Sequence, residues 1–242
     1  MNLIIDVGNS FVKFAVFKNN ALLHKESFEL FKFKKRYKAL RENFKNIDCC
    51  IISSVGRLTD EQIHYVDDEL EVLKLSINTK LPFKNLYQTP KTLGVDRIAL
   101  VSASVNQFPD NNVLIIDAGT CITYDFVTDK NEYLGGAISP GIRLRYEALH
   151  NFTANLPLLE KDQPKTITGD TTESSIHSGV TMGVIKEIDG VIDEYRENHQ
   201  DLTVILTGGD ANFLSNQLKN SIFANSNFLL EGLNFILDFN SK

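Results

Sequence analysis

Apolar residues recur along this chain with two spacings, and these predict its secondary structure. Short apolar runs bounded by glycine, asparagine or proline predict strands, whereas apolar residues three or four positions apart predict helices. Before a turn-rich link at residues 109–112, the predicted strands are 2–7, 11–17, 21–28, 48–54 and 71–76, and the predicted helices lie near 32–45, 60–70 and 93–107. After the link, the predicted strands are 113–117, 121–128, 132–138 and 202–206, and helices are predicted from about 141, over 171–198 and over 211–219.

The order of these elements is repeated along the chain. Each half begins with three strands and continues with helices and strands in alternation, which is the pattern of a duplicated α/β unit. At 242 residues the chain is long enough for two such units. We therefore expect an N-terminal α/β lobe over residues 1–110 and a C-terminal α/β lobe over residues 111–242, with an active-site cleft between them.

A repeated segment supports the duplication. Residues 3–10 read LIIDVGNS and residues 114–121 read LIIDAGTC, so each copy is an apolar strand that ends in an acid, a glycine and small polar residues. Because glycine has no Cβ, a phosphate can approach such a turn closely and accept hydrogen bonds from successive backbone amides. The acid at each turn suits a cation that bridges to the phosphate. Two such turns predict a nucleotide-binding site.

The segment 171–198 is the longest predicted helix. Its apolar residues fall at helical spacing, and Asp170 with Glu173 resembles a capping box at its start. Gly179 and Gly183 lie four residues apart on this helix and would allow another backbone to approach it, and either glycine could equally pack within the subunit.

The charge balance restricts the partners. A net charge of −6 and an isoelectric point near 5.4 argue against a general nucleic-acid binder, which normally carries a basic face. Basic and aromatic residues alternate at residues 31–38, but the acidic chain around them favours the solvated start of an amphipathic helix. Small-molecule partners are therefore expected, and no nucleic acid.

We expect a cytoplasmic protein with no membrane partner. The opening residues 1–17 are apolar, but Asp6 and Lys13 interrupt them and no basic region precedes them. No run reaches the roughly 18 to 20 apolar residues that a spanning helix needs. The cysteines are odd in number and show no zinc-site spacing, so we expect reduced thiols in the core. They are Cys49, Cys50 and Cys121.

Five motifs follow one another in an order that identifies a family. They are residues 6–10 with Lys13, residues 94–97, residues 117–120 with Thr123 and Asp125, residues 135–141, and residues 207–209. On these motifs the chain resembles a type III pantothenate kinase, a member of the acetate and sugar kinase, Hsc70 and actin superfamily. The resemblance implies a duplicated ribonuclease H-like fold of the actin and Hsc70 type. It also implies ATP with Mg²⁺, a monovalent cation (K⁺ or NH₄⁺), and a homodimer to which the long helix contributes.

The resemblance assigns the first turn to ATP. Backbone amides and the side chains of Asn9 and Ser10 would donate to the β- and γ-phosphates, with Asp6 beside the magnesium and Lys13 adding positive charge. The family more often has threonine at the position of Ser10, and both residues carry a hydroxyl group. A plain β-hairpin is the alternative, because Gly-Asn is a good turn former. The implied ATP-binding residues are Asp6, Val7, Gly8, Asn9, Ser10, Phe11, Val12, Lys13 and Thr120.

The second turn resembles the family's monovalent-cation site. Asp117 is the implied ligand of potassium or ammonium, and Thr120 is the implied hydroxyl donor to phosphate. Without a cation, carboxylates directed at a triphosphate would repel it, so activity is expected to depend on the ion. The alternative is that Asp117 only ends a strand.

Asp96 is the candidate general base. It opens a predicted helix, where its carboxylate would accept the proton of the substrate's primary hydroxyl as that oxygen attacks the γ-phosphoryl group. Arg97 offers a fork of donors, and in this family the loop also holds pantothenate. Helix capping with a surface Asp-Arg pair is the alternative. The implied substrate-binding residues are Tyr87, Gly94, Val95, Asp96, Arg97 and Thr172.

Tyr87 and Thr172 match two further pantothenate contacts of the family. Tyr87 stands seven residues before Gly94, and its ring would line an acyl-chain pocket. Thr172 stands at the start of the long helix, where the helix N-terminus would favour a carboxylate. The alternatives are a half-buried loop aromatic and an ordinary capping threonine.

The predicted activity is ATP-dependent phosphorylation of pantothenate to 4′-phosphopantothenate, the first step of coenzyme A biosynthesis. The chain shows no evident nucleophile for a phosphoenzyme, so transfer is expected to be direct. One alternative is another small-molecule kinase or a phosphohydrolase of the same superfamily. A second is a non-enzymatic, ATP-binding transcriptional accessory factor, which would bind nucleotide without pantothenate-dependent turnover.

Overall fold

A computed structural model describes residues 1–8, 11–54 and 58–241. The chain separates into two compact units. The first consists of Met1–Pro109, Asn131–Tyr133 and Asn227–Lys242, and the second of Asp110–Lys130 and Leu134–Ser226. These units are not the two continuous segments 1–110 and 111–242, because residues 131–133 and the C-terminal helix pack with the first unit.

The predicted elements occur in the predicted order, and further elements that were not predicted lie at residues 84–85, 223–224 and 228–240. The strands are β1 (Asn2–Val7), β2 (Val12–Lys18), β3 (Ala21–Phe28), β4 (Cys49–Ser54), β5 (Glu71–Lys74), β6 (Lys84–Asn85), β7 (Val113–Ala118), β8 (Cys121–Val127), β9 (Glu132–Pro140), β10 (Thr203–Thr207) and β11 (Phe223–Ala224). The helices are α1 (Phe33–Asn43), α2 (Asp60–Asp67), α3 (Val95–Gln107), α4 (Ile142–Asn151), α5 (Thr172–His177), α6 (Gly183–Asn198), α7 (Ala211–Ser215) and α8 (Phe228–Asn240).

The first unit is built on a five-stranded sheet in the order β3-β2-β1-β4-β5. The pairs β1–β2 and β2–β3 are antiparallel, and the pairs β1–β4 and β4–β5 are parallel. Every residue of β1 after Asn2 is buried, as expected for an apolar strand covered on both faces. Phe14 of β2 packs edge-on against Phe28 and Phe33 in the core.

Helix α8, which the apolar pattern did not predict, holds α3 in place. A Cβ added to Gly232 of α8 would lie 1.9 Å from the carbonyl oxygen of Ala99 in α3, so the two helices cross in backbone contact. The side-chain amide of Asn2 in β1 donates to Asn234 (2.9 Å) and to Asp238 (2.7 Å). Thus α8 connects α3 to the central strand of the first sheet.

The second unit repeats the topology of the first. Its strands run in the order β9-β8-β7-β10-β11, which corresponds strand by strand to β3-β2-β1-β4-β5. As in the first unit, the central strand β7 is antiparallel to β8 and parallel to β10, and β10 is parallel to β11. The prediction of a duplicated ribonuclease H-like α/β fold is therefore confirmed.

The predicted helix 171–198 is a helical stretch interrupted by a π turn at Ser178–Met182, between α5 and α6. The expected capping box of Asp170 and Glu173 is wrong by one residue. Thr171 is the N-cap, and its hydroxyl accepts from the backbone N–H of Ser174, whose own hydroxyl accepts from the N–H of Thr171. Side-chain oxygens at both positions complete the reciprocal pair.

All three cysteines are free thiols, but only Cys50 is buried. Cys49 is half-buried and Cys121 is exposed, so the expectation of core thiols is wrong for Cys121, which stands at the edge of a turn. In the part of the chain that the structure describes, no helix has both the length and the apolar character required to cross a bilayer.

Candidate active site

The first predicted phosphate turn is the hairpin between β1 and β2. Asp6 and Lys13 are direct partners in this pair, and Lys13 Nζ lies 3.3 Å from Asp6 Oδ2. The backbone N–H of Gly8 donates to the carbonyl oxygen of Phe11 (3.0 Å). The neighbouring residues differ in exposure: Val7 and Val12 are buried in the core, whereas Phe11 is 53% exposed. Asn9 and Ser10 lie outside the described residues.

The carboxyl group of Asp6 is buried, and its pKa is raised above its ordinary value. Burial is the largest cause, the charge of Lys13 opposes it, and the charge of Asp96 raises the pKa further. Asp6 and Asp96 therefore lie within electrostatic reach of each other in the first unit. A cation placed beside them would relieve the repulsion between their charges.

The first unit offers a carboxylate ligand that suits a magnesium ion whose other ligands come mainly from a nucleotide and water. Mg²⁺ usually binds one or two protein carboxylates together with water and phosphate oxygens. Asp6 offers such a carboxylate at the end of β1. Within residues 1–8, 11–54 and 58–241, no group of three or more His, Cys, Asp or Glu side chains could enclose a metal ion by itself.

Asp96 lies in the first turn of α3 and is half-buried. Gly94 is the N-cap of this helix, so Asp96 is not its capping residue. Its Oδ1 accepts a hydrogen bond from the backbone N–H of Arg97 (2.8 Å). Arg97 is only 5% exposed, so the two residues do not form the surface pair that was the alternative interpretation.

Arg97 packs against two tyrosines. The guanidinium carbon lies 5.5 Å from the ring centre of Tyr87 and 5.9 Å from that of Tyr133, which are cation–π distances. The two rings stack with their centres 6.0 Å apart. The structure thus brings together two of the predicted substrate-binding residues, Tyr87 and Arg97. Tyr133 was not predicted as a site residue, and its position two residues before Gly135 in the 135–141 motif was the available signal.

The second predicted turn is the hairpin between β7 and β8. Asp117 is half-buried and pairs with Thr123, and the N–H of Gly119 donates to the carbonyl oxygen of Cys121 (2.9 Å). Thr120 is exposed, and its carbonyl oxygen accepts from the N–H of Gly141 at the start of α4 (3.0 Å). The glycine-rich 135–141 motif therefore ends in contact with this turn.

The motif 207–209 packs on the same turn. Gly208 has φ +96°, and a Cβ there would lie 2.3 Å from the carbonyl oxygen of Ala118 and 2.4 Å from Oδ1 of Asp117. The N–H of Asp210 donates to the same carbonyl oxygen (2.9 Å). The loop after β10 therefore packs closely against the Asp117 carboxylate. Carboxylate and carbonyl oxygens in this corner suit a monovalent cation.

Thr172 is the first residue of α5 and is exposed. Because Thr171 caps the helix, Thr172 is not the capping threonine that was the alternative interpretation. It lines an open cavity of about 770 Å³ in the second unit, together with Leu149, Leu156 and Ile176. The cavity combines apolar side chains with hydroxyl groups, as small-molecule sites do.

Sequence and structure comparisons identify similar proteins. A sequence model described as type III pantothenate kinase matches residues 2–194. Proteins named type III pantothenate kinase from Christiangramia forsetii and Flavobacterium johnsoniae are 54% and 52% identical to the chain, over 99% and 96% of both sequences.

Among solved structures, a Campylobacter jejuni protein described as a Baf family transcriptional activator has a TM-score of 0.67 at 22% identity, over 99% of this chain and 98% of its own. A glucokinase from an Antarctic psychrotroph has a TM-score of 0.52 at 12% identity, over 98% of each chain. At these identities the two structures show a shared fold.

Proposed function

This chain belongs to the type III pantothenate kinase family, and we propose that it transfers the γ-phosphoryl group of ATP directly to the primary hydroxyl of pantothenate, with Asp96 as the general base. The family activity converts pantothenate to 4′-phosphopantothenate in coenzyme A biosynthesis. The observation that carries the proposed role of Asp96 is its position: it opens α3, is electrostatically coupled to Asp6, and adjoins Arg97.

The chemical step balances without a covalent enzyme intermediate. The hydroxyl oxygen of pantothenate bonds to the γ-phosphorus, the bond from that phosphorus to the bridging oxygen breaks, and ADP leaves. Asp96 accepts the hydroxyl proton. In a loose transition state the alcohol becomes acidic late, so a carboxylate is a sufficient base.

We assign the phosphates of ATP to the turn after β1. As the family resemblance implies, free amides of this turn would donate to phosphate oxygens, and Lys13 would offset negative charge. Asp6 would hold a Mg²⁺ ion, which would supply positive charge to the phosphates. The support for this assignment is the buried Asp6 carboxylate, whose pKa is raised by burial and by Asp96 despite the nearby Lys13.

In the second unit, we assign Thr120 to a phosphate oxygen and Asp117 to a monovalent cation, K⁺ or NH₄⁺. The ion would neutralise the carboxylate next to a nucleotide. The support is the exposed position of Thr120 and the closure of the loop at Gly208 over Asp117.

In the first unit, we assign pantothenate contacts to the residues at the start of α3, namely Gly94, Val95, Asp96 and Arg97, and to Tyr87. In the second unit, considered by itself, the family resemblance makes Thr172 a further candidate. Tyr87 is half-buried and presents an amphipathic ring beside Arg97. Thr172 offers an exposed hydroxyl beside an open cavity.

We also propose that the enzyme is a cytoplasmic homodimer. Apart from the neighbouring backbone of its own helix, a Cβ added to Gly179 or Gly183 would meet no atom of the described residues within 4 Å, so packing among those residues does not require glycine at either position. In the same unit Phe152 is 87% exposed and Ile167 is 68% exposed. Apolar side chains of a subunit interface show such exposure when one subunit is considered without its partner. The free thiols are in the state that a reducing compartment maintains. Light scattering on the purified protein tests the dimer.

A coupled assay tests the activity. With ATP, Mg²⁺ and K⁺ present, pantothenate is expected to stimulate ADP formation, and mass spectrometry is expected to find 4′-phosphopantothenate. A panel of other alcohols and polyphosphate serves as the comparison. If the rate of ADP formation does not change when pantothenate is added, the proposal is contradicted. Nucleotide binding without turnover would indicate a non-enzymatic regulator.

A further inference from the structure

Tyr133 contacts Tyr87 and Arg97, two of the first-unit residues that we assign to pantothenate. We propose that Tyr133 is a positioning residue that holds the ring of Tyr87 and the guanidinium of Arg97 in place for pantothenate. The inference rests on the proposed function, because it assumes that Tyr87 and Arg97 contact that substrate. Tyr133 is itself 0% exposed, so it acts through these neighbours and not by touching the substrate.

The backbone of Tyr133 fixes the segment that carries Tyr87. Strand β6 pairs in parallel with the first residues of β9, and Leu86 N–H donates to the carbonyl oxygen of Tyr133 (2.9 Å). An ion pair between Lys84 and Glu132 (2.8 Å) reinforces the pairing. The N–H of Tyr87 in turn donates to the side chain of Asn85 (2.9 Å). Tyr87 thus follows directly on a segment held by residues 132 and 133.

The ring of Tyr133 fixes the ring of Tyr87. The two rings are inclined by 26° with centres 6.0 Å apart, and Phe83 meets Tyr133 edge-on at 6.1 Å. Such aromatic pairs restrict the angle of a ring as well as burying it. Tyr87 is only half-buried, so part of its surface stays accessible while Tyr133 supports another part.

The same ring stabilises the charge of Arg97. Arg97 as a whole residue is 5% exposed and has lost most of its hydration, and the electron-rich faces of Tyr87 and Tyr133 replace part of that hydration. Without the Tyr133 ring, Arg97 would keep one aromatic face and gain space to reorient. Because both neighbours are assigned to pantothenate, the loss should appear in pantothenate binding and not in ATP binding.

Tyr133→Leu removes the ring and keeps an apolar side chain. We expect the KM for pantothenate to rise by roughly threefold to thirtyfold, the range for one lost cation–π contact. The KM for ATP and kcat are expected to stay within about twofold, since the residue does not touch the reacting groups. Tyr133→Phe keeps the aromatic ring, so its KM for pantothenate is expected to lie within about threefold of the value for the unmodified enzyme.

Tyr37→Leu is the matched control. Tyr37 is also 0% exposed, belongs to the first unit and packs edge-on against Phe14 in the main core. Both Tyr37→Leu and Tyr133→Leu are expected to lower Tm, but Tyr37→Leu should cause no selective change in the KM for pantothenate. If Tyr133→Leu does not fold, Tyr133→Met is used, because the flexible methionine fills the space without an aromatic face.

A double-mutant cycle with Tyr87→Leu separates positioning from packing. If Tyr133 acts through Tyr87, the effect of Tyr133→Leu on pantothenate affinity is expected to be smaller in the Tyr87→Leu background. Equal effects in both backgrounds would overturn the role of Tyr133 through Tyr87, and equal changes in the KM values of ATP and pantothenate would overturn the inference as a whole. An unmodified enzyme that does not respond to pantothenate would instead overturn the proposed function.

Discussion

Lys13 Nζ lies 3.3 Å from Asp6 Oδ2 directly across the β1–β2 pair, yet the pKa of Asp6 remains above its ordinary value of 3.8. Burial of the carboxyl group is the largest cause, and the charge of Asp96 adds to it. The attraction of Lys13 is too weak to reverse the shift, because the lysine side chain is 43% exposed and water screens it. The first unit therefore contains a carboxylate whose ionisation is less favourable in the folded chain than in water, and a further cation would favour it.

Asp6→Asn is expected to stabilise the protein near neutral pH by roughly 0.5–2 kcal/mol, as removal of a strained functional group often does. A raised folded pKa means that the folded chain binds more protons than the unfolded chain above pH 3.8. The Asp6 contribution to stability therefore falls as pH rises through this range, and the asparagine variant avoids the loss. Thermal unfolding between pH 3.5 and 8 measures the difference, which should vanish at the acid end.

The same variant is expected to lose most kinase activity, since the proposed magnesium ligand is gone. Asp201→Asn, at an exposed position, is the control and should change stability by less than about 0.5 kcal/mol. A destabilised Asp6→Asn protein at pH 7 would contradict the account of the Asp6 environment.

Asp96→Asn is expected to fold normally, bind ATP as before and lose at least about a hundredfold in kcat, the lower scale for a general base. Normal folding is expected because an asparagine oxygen can accept the hydrogen bond that Asp96 takes from the N–H of Arg97. Steady-state kinetics with calorimetric ATP binding measures both quantities. Near-normal turnover would remove Asp96 from the proposed role.

Gly208→Ala is expected to destabilise the protein by roughly 1–3 kcal/mol and to raise the KM for ATP. The new Cβ would meet the carbonyl oxygen of Ala118 and the carboxylate of Asp117, at a φ of +96° that alanine rarely adopts. Chemical denaturation and ATP kinetics test the two effects together. Unchanged ATP kinetics in a destabilised variant would show that the loop supports the fold but not the site.

Gly232→Ala is expected to cost roughly 1–3 kcal/mol, because a methyl group would separate α8 from α3. Gly190→Ala is the matched control. Gly190 lies in α6, and a Cβ added there would have open space among the described residues. The Gly190→Ala variant is therefore expected to be more stable by about 0.5–1 kcal/mol, because alanine has the higher helix propensity. Denaturation midpoints of the two variants should move in opposite directions.

Replacing K⁺ with tetramethylammonium is expected to lower turnover, because the Asp117 carboxylate would then face the nucleotide without its counter-ion. Adding back K⁺ or NH₄⁺ should restore activity. In Asp117→Asn the response to K⁺ should be smaller than in the unmodified enzyme. A full response in that variant would place the ion elsewhere.

Local sequence was sufficient for the repeated strands and for the residues at their ends. Continuous apolar runs predicted β1 and β7, and the acid and glycine after each predicted the two hairpins. The identity of the family followed from motifs whose order is readable along the chain. Asp6, Asp96 and Asp117 were each located in this way, since a strand end or helix start is a local feature.

Contacts between distant segments were decided only by the tertiary structure. Tyr133 reaches Tyr87 and Arg97 because residues 131–133 pack with the first unit, and α8 reaches α3 from the far end of the chain. The pKa of Asp6 likewise depends on burial and on Asp96, ninety positions away in the sequence. Periodicity records which face of an element is apolar, but the partner of that face is chosen by packing over the whole chain.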